Sequence, residues 1–414
     1  MKFLIASKLV MIATICRMAT GFLVNKIIAV YFGPSGLALI SNYQNFLQIV
    51  LTISNCGVTT GITRYSALYS NQPTEFKSLL NTSFVLCFVC TTIASITLFV
   101  GSEFFSLQIF GSREYSHIIK ILSFTVIFFV FNSLNLSILN GLERRTVWFF
   151  LTILQSLLSL IITGGLALKY GFVGAVTGLT INQVFLSLFI LVKKFLRAPF
   201  PFFSVDLISR KILIDLLKYS FVTSITVLLL PILLIYLRHY IASIESLEVV
   251  GIWQSINVVS TALLMLSLTV LKVYIIPRIS KAKEQKEIHD EIMSIISVVL
   301  PVLILISIVS FILGERIMTV LFSNQFTVAA SYLTMNLIGD SFKIVGSIFG
   351  LVLVARSKHR HVLFLNIFFP VLLIFWSIVL FPLFGLLGLV LSNAVTQLLF
   401  LIFTVLMVRY VVKF

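Results

Sequence analysis

The sequence predicts an all-α integral membrane protein of twelve transmembrane helices, and three observations lead to this fold class. Hydrophobic residues make up 59% of the 414 residues and charged residues only 11%. The mean hydropathy of +1.12 lies outside the range of soluble globular domains. The apolar runs reach the roughly 20 residues that a spanning helix needs, and they are continuously apolar rather than alternating, which excludes a transmembrane β-barrel.

The twelve predicted spans leave about 34 residues for each span with its loop, so little sequence remains for domains outside the membrane. They fall into two sets of six. The predicted spans are 9–31, 37–62, 79–100, 118–139, 147–168, 172–192, 217–237, 249–270, 292–313, 330–354, 362–383 and 386–408.

The distribution of basic residues predicts that both termini are cytoplasmic. With this orientation, 22 of the 30 Lys and Arg residues lie on the cytoplasmic side, 5 on the other side and 3 inside spans. Such an excess is the usual signal of a cytoplasmic face. The net charge of +16 is then explained by topology and by attraction to anionic lipid headgroups, without a nucleic-acid partner.

Internal repetition predicts two six-helix lobes in the same orientation. Spans two and eight begin with Gly36 and Gly251, and each is followed by an Asn six residues later. Spans six and twelve begin with similar glycine pairs, followed by Gln183 and Gln397 at matching positions. An even number of helices per half predicts parallel repeats, as in many transporters. The predicted regions are an N-terminal lobe at 1–197, a cytoplasmic linker at 198–215 and a C-terminal lobe at 216–414.

A charged side chain inside a span has a high free-energy cost in the membrane, so each one is a candidate for a functional role. Arg17 and Lys26 lie nine residues apart on span one, on opposite faces of an ideal helix unless the helix distorts at Gly21. Asp340 and Lys343 share one face of span ten. Three cations against one acid indicate a surplus of positive charge that suits an anionic substrate group.

Purely structural roles stay open for each of these charges. Asp340 and Lys343 could form a neutralising pair that makes insertion tolerable, and Arg17 and Lys26 could extend toward the headgroups. Polar side chains on spans one, two and eight could hold helices together or line a hydrated cavity for sugars. The residues predicted as glycan contacts are Asn25, Gln44, Gln48, Trp253, Gln254 and Asn257.

The sequence contains no phosphate-binding Walker loop, zinc motif or nucleophile elbow, so neither an enzyme nor a metal site is predicted. Transport without an ATP site must draw its energy from an ion gradient or from the substrate's own gradient. Asp340 is therefore the candidate for coupling to a proton or to sodium.

Five segments in order resemble the Wzx-type flippases of bacterial polysaccharide assembly, in the branch of O-antigen and enterobacterial common antigen (lipid III) flippases. They are KIIAVYFGPSG at 26–36, GIWQ at 251–254, YIIPRIS at 274–280, SNQFT at 323–327 and GDSFK at 339–343. The resemblance extends from Arg17 to the last span. It implies the fold of the multidrug/oligosaccharidyl-lipid/polysaccharide (MOP) exporter superfamily.

The resemblance implies two lobes in a V, alternating access, and a substrate of undecaprenyl pyrophosphate carrying one oligosaccharide repeat unit. The implied location is the bacterial inner membrane, beside an O-antigen polymerase and a chain-length regulator. The cations expected to bind the pyrophosphate are Arg17, Lys26, Arg64 and Lys343.

Two other classes remain as alternatives. A multidrug antiporter of the same superfamily would need acidic rather than basic cavity residues to bind cationic drugs. A membrane polysaccharide polymerase would usually carry large outer loops, whereas the outer loops predicted here are short.

Overall fold

The computed structural model describes residues 2–192, 208–282 and 284–412, and within these ranges all regular structure is helical. Two short 3-10 turns, Arg113–Tyr115 and Asn324–Ala329, join longer helices. The α-helices are α1 Lys2–Ser54, α2 Thr59–Leu68, α3 Pro73–Val100, α4 Ser102–Phe110, α5 Ser116–Gly141, α6 Arg145–Val192, α7 Arg210–Ile244, α8 Leu247–Lys281, α9 Gln285–Leu321, α10 Ala330–Ala355, α11 His359–Phe384 and α12 Leu386–Val412.

Ten of these helices in the described ranges are long and apolar enough to cross a membrane, and two of the ten are long enough to cross it twice. The apolar part of α1 is 44 residues long and α6 is 48 residues long, whereas about 20 residues cross a bilayer. Each helix is interrupted by one glycine at positive φ, Gly33 in α1 and Gly171 in α6. The chain is thus a multi-pass membrane protein, and the prediction of twelve spans is confirmed.

The second span was predicted as one continuous helix over 37–62, and this prediction is wrong. The helix stops at Ser54, and α2 begins only at Thr59. Cys56 and Gly57 both have positive φ, which ends a right-handed helix. A Cβ at Gly57 would overlap Ser224 of α7, so the close approach of α7 favours glycine at this turn.

The two halves repeat one backbone feature in detail. Gly171 and Gly385, 214 residues apart, both have positive φ. Three residues after each lies a second glycine, Gly174 or Gly388, at which a Cβ would overlap the carbonyl group of Leu166 or Leu380. Only glycine permits both the turn and this close return of the chain. The glycine pairs at the starts of spans six and twelve therefore have the same structural role.

The chain divides into two compact units. Unit 1 comprises Met1–Ile28 and Leu39–Ile235, and unit 2 comprises Ala29–Ala38 and Tyr236–Phe414. The core of unit 1 includes Leu79, Leu139 and Leu216, and that of unit 2 includes Ile275, Ile344 and Val352. The predicted lobes and linker remain a prediction, and residues 198–207 of the linker lie outside the described residues.

Close helix packing organises unit 2 around α10, which contacts α8, α9 and α12. Gly339 and Gly346 face α12, where a Cβ would meet the backbone of Ala394 at 2.9 Å and that of Leu401 at 3.0 Å. Small residues at helix interfaces allow such approach within a membrane. This packing brings the polar residues of α8, α10 and α12 together.

Candidate functional site

A polar cavity of about 420 Å³ lies within unit 1, between α1, α5 and α6. On α1 and α6 its lining residues recur at spacings of three and four, so each helix contributes one face. Leu136 of α5 and Gln183 from the second half of α6 complete the wall. The α1 face consists of Arg17, Thr20, Gly21 and Val24, and the α6 face of Trp148, Thr152, Gln155, Ser156 and Ser159.

Among the described residues that form this wall, Arg17 alone is charged. Its side chain forms no ion pair with any described residue. The Thr20 hydroxyl donates to backbone carbonyls of α1, at 3.0 Å from the oxygens of both Cys16 and Arg17. A cation without a counter-charge beside a polar cavity is suited to an anionic ligand.

Hydroxyl and amide groups cover the α6 side of the cavity. Thr152 and Ser156 donate to carbonyl oxygens one turn earlier, those of Trp148 at 2.8 Å and Thr152 at 2.9 Å. The Gln155 side chain forms no hydrogen bond within the described part of the chain. Gln155 and Ser159 were not predicted as site residues, although their spacing on one face of a span was a usable signal.

A hydrogen-bonded triad holds the side chain of Gln183, which lines the cavity. Asn132 Nδ2 donates to Gln183 Oε1 at 2.8 Å, and Ser187 Oγ donates to Asn132 Oδ1 at 2.9 Å. All three side chains are buried. Gln183 therefore presents a fixed amide group to the cavity.

The predicted acid, Asp340, lies at the centre of a polar cluster in unit 2 and is 1% exposed. Ser260 Oγ donates to its Oδ2 at 2.5 Å, and Asn336 Nδ2 lies 3.4 Å from the same atom. Asn393 Nδ2 donates to Asp340 Oδ1 at 3.3 Å and to Asn336 Oδ1 at 3.1 Å. Gln397, the repeat partner of Gln183, donates to Asn393 Oδ1 at 3.1 Å.

Lys343 is half-buried on α10, three residues after Asp340. Its charge acts on Asp340 electrostatically, but these two described side chains form no direct ion pair. The nearest partners of the carboxylate are the neutral side chains of Ser260, Asn336 and Asn393. Asp340 and Lys343 are thus close in sequence, but the carboxylate is hydrogen-bonded to other residues and not to Lys343.

The other predicted residues of span one and span two lie away from the unit 1 cavity. In α1 the backbone is helical through Gly21, with its one non-helical residue at Gly33, so Lys26 projects from the face opposite Arg17. Asn25 and Lys26 are half-buried, whereas Gln44 and Gln48 are exposed. None of these four described side chains lines the cavity.

Arg64 belongs to α2 and lies outside the cavity as well. Its guanidinium carbon is 4.9 Å from the centre of the Tyr219 ring of α7, in a cation–π contact. The side chain is exposed. The structure therefore separates Arg64 from Arg17.

The predicted residues of α8 lie in unit 2 beside a buried cation that was not among the predicted site residues. Arg238 of α7 is 3% exposed, and its Nη2 donates to Gln254 Oε1 at 2.9 Å. Trp253 is buried and Asn257 is half-buried. Gln254 thus orients the guanidinium group of Arg238. Arg238 was not predicted as a site residue because its span was predicted to end at residue 237.

The fold is similar to that of transporters with solved structures. A multidrug resistance transporter of the MATE family, within the MOP superfamily, matches in its inward-facing conformation with a TM-score of 0.81, at 16% identity over 97% of this chain and 99% of that chain. A MATE transporter of the same superfamily in an outward-facing conformation matches with a TM-score of 0.70, at 17% identity over 99% and 95%. These similarities show that the chain has the fold of these MOP-superfamily transporters.

Relatives by sequence point to polysaccharide assembly. The chain is 24% identical to the Lipid III flippase of Escherichia coli (strain K12) over 377 residues, which cover 91% of each protein. The family model described as "Polysaccharide biosynthesis protein" matches residues 7–283, about two thirds of the sequence. The chain therefore belongs to this family of polysaccharide biosynthesis proteins.

Proposed function

We propose that this protein is a flippase that moves lipid-linked oligosaccharides across the membrane by alternating access, and not an enzyme. One observation supports it above all: Arg17 lines a polar cavity among spanning helices and forms no ion pair with a described residue. An anionic headgroup would provide the missing counter-charge. Membership of a polysaccharide biosynthesis family and similarity to the Lipid III flippase support a glycan attached to that headgroup.

The proposed substrate is undecaprenyl pyrophosphate that carries one oligosaccharide repeat unit, of the O-antigen or a related type. Arginine binds phosphate oxygens through two parallel hydrogen bonds, which replace the water lost from the headgroup. Arg17 is the first candidate for this contact, and Lys343, Lys26 and Arg64 are further candidates. The polyprenyl chain can stay in the bilayer. The residues proposed as glycan contacts are Gln254, Asn257, Trp253, Asn25, Gln44 and Gln48.

The proposed direction is outward, from the cytoplasmic to the periplasmic leaflet of the bacterial inner membrane, with both termini cytoplasmic. Of the basic residues that predict this orientation, Lys193, Lys194, Arg197, Lys283 and Lys413 lie outside the described residues. Two negative charges that move outward gain about 4.6 kcal/mol at an inside-negative potential of 100 mV. We expect the protein to contact anionic lipids. We also expect it to act together with a polymerase and a chain-length regulator.

Asp340 is the proposed site of ion coupling. Its carboxylate accepts hydrogen bonds in unit 2 from the Ser260 hydroxyl and from the amide nitrogens of Asn336 and Asn393. A buried carboxylate can hold a proton, and carboxylate and hydroxyl oxygens such as those of Asp340 and Ser260 are ligands for a hard cation such as sodium. We propose that one of these ions binds here and couples its gradient to transport.

The alternative function is that of a multidrug antiporter, whose substrates would be drugs and not lipid-linked glycans. The fold allows it, but the charged residue of the unit 1 cavity is a cation, which disfavours cationic drugs. A polysaccharide polymerase has no supporting observation among the described residues.

Proteoliposomes test the proposal directly. Purified protein is reconstituted with an undecaprenyl-pyrophosphate-linked oligosaccharide, and a lectin or glycosidase outside the vesicle measures how much of it crosses. The proposal predicts crossing that depends on the protein, in competition with sugar-free undecaprenyl pyrophosphate but not with a cationic dye. Transport of the dye alone would favour the antiporter, and the absence of any crossing by folded protein with several glycans would contradict the flippase.

A further inference from the structure

We propose that the unit 1 cavity also contains a sugar subsite, formed by Trp148, Gln155 and Ser159, which binds the sugar ring bonded directly to the pyrophosphate. The inference rests on the proposed flippase function and deepens it. None of these three residues was a candidate before the structure placed them beside Arg17. The subsite would make the protein sensitive to the first sugar of the glycan.

The size of the cavity supports a small occupant. Its volume of about 420 Å³ lies near the lower end of ligand pockets, which span roughly 300–1,000 Å³. A phosphate group with one sugar ring suits such a space, whereas a whole oligosaccharide repeat unit does not. Because Arg17 lines the same cavity, the sugar nearest the phosphates is the one that this wall can contact.

The unused hydrogen-bonding groups of the wall match a sugar. The Gln155 amide has two donors and an acceptor, and it forms no hydrogen bond within the described residues. The Ser159 hydroxyl oxygen lies 3.4 Å from Asn182 Nδ2, from which it accepts, so its own hydrogen remains to be donated. Both groups can pair with hydroxyl or acetamido groups on a sugar ring.

Trp148 supplies the apolar part of the same surface. It is half-buried against the core of unit 1 and lies one turn before Thr152 on the cavity face of α6. The flat faces of sugar rings carry C–H groups that pack against aromatic rings, and an indole ring is large and rigid. Trp148 to Ser159 spans 11 residues, or about 16 Å of helix, which is long enough for a phosphate and a sugar in line.

The affinities of two soluble probes distinguish binding at the sugar subsite from binding at the phosphate site. The probes are a ten-carbon isoprenyl pyrophosphate and the same compound with one N-acetylhexosamine on its terminal phosphate, titrated calorimetrically into the full-length protein. We expect the sugar-bearing probe to bind about tenfold more tightly, since it adds two or more hydrogen bonds. In the Gln155→Leu variant the ratio should fall to about threefold or less, with the affinity for the sugar-free probe unchanged.

Filling the cavity provides a second, independent test. Gly21 lines the cavity and a Cβ there would meet no atom within 4 Å, so Gly21→Leu should fill space without disturbing the packing. Gly165→Leu is the matched control, because this glycine of α6 is equally open and lies outside the cavity wall. We expect Gly21→Leu, but not Gly165→Leu, to abolish the preference for the sugar-bearing probe.

The outcomes distinguish the subsite from the flippase itself. If wild-type protein moves the lipid-linked oligosaccharide but binds the two probes equally, or if Gln155→Leu and Gly21→Leu both keep the wild-type ratio, the sugar subsite is refuted and the flippase stands. If wild-type protein moves no lipid-linked glycan and binds neither probe, the proposed function fails and the subsite fails with it.

Discussion

Ser260 of α8 donates a 2.5 Å hydrogen bond to the carboxylate of Asp340 on α10. The acid is thereby tied to a neighbouring helix through a neutral group, and Asn336 and Asn393 add two further neutral donors. Lys343 takes no part in these contacts and forms no ion pair with a described residue. The geometry therefore supports separate roles for the acid and the cation, in preference to a pair that only cancels charge.

Asp340→Asn should remove the dependence of transport on an ion gradient. The amide keeps the size of the carboxylate but can neither release a proton nor balance a cation. Flipping by wild type and variant is measured with and without proton and sodium gradients. Ser341→Ala is the control, since the Ser341 hydroxyl bonds to the Leu337 carbonyl of its own helix. An Asp340→Asn protein that still responds to the gradient as wild type does would exclude Asp340 as the coupling site.

Lys343→Met should reduce flipping by about tenfold or more, because the variant removes a cation that the proposal assigns to the pyrophosphate. Lys343→Arg should keep most of the activity, since it retains the charge. Protein yield and the elution profile in detergent check that insertion is unaffected. Wild-type flipping by the Lys343→Met protein would return Lys343 to a purely structural role.

The membrane fold could be predicted from the sequence because continuous apolar runs of about 20 residues are typical of spanning helices. Asp340 could be predicted because a single acid within the spans is conspicuous. The cavity wall was not predicted, although Gln155 and Ser159 lie four residues apart on one face of the 48-residue helix α6, because uncharged side chains indicate a binding site only once the fold places them opposite Arg17. Arg238 was missed because α7 continues to Ile244, past the end that the apolar run suggested.

Gly171→Ala should lower the free energy of unfolding by about 1–3 kcal/mol. No atom lies within 4 Å of a Cβ at Gly171, so the effect arises from its positive φ of 65° alone. Gly165→Ala is the matched control, because it is equally open but helical, and should be neutral or stabilising by up to about 1 kcal/mol. Thermal unfolding in detergent compares the two, and equal midpoints would argue against a strained turn at Gly171.

Gly251→Ala should also destabilise the protein, here through packing. A Cβ at Gly251 would overlap the backbone of Pro34, which cannot move aside as a flexible side chain could. Such overpacking costs about 1–3 kcal/mol. Gly350→Ala in the same unit, where a Cβ meets no atom within 4 Å, is the control. Unchanged thermal stability of Gly251→Ala would contradict the close contact between these two segments.

The central claim is that the positive charge of Arg17 binds the pyrophosphate during transport. The most direct measurement is the rate of flipping of an undecaprenyl-pyrophosphate-linked oligosaccharide in proteoliposomes that contain Arg17→Gln, Arg17→Lys or wild-type protein. We predict a loss of about tenfold or more for Arg17→Gln and a smaller loss for Arg17→Lys, which keeps the charge but not the two-pronged geometry. Flipping by Arg17→Gln at the wild-type rate would contradict the claim.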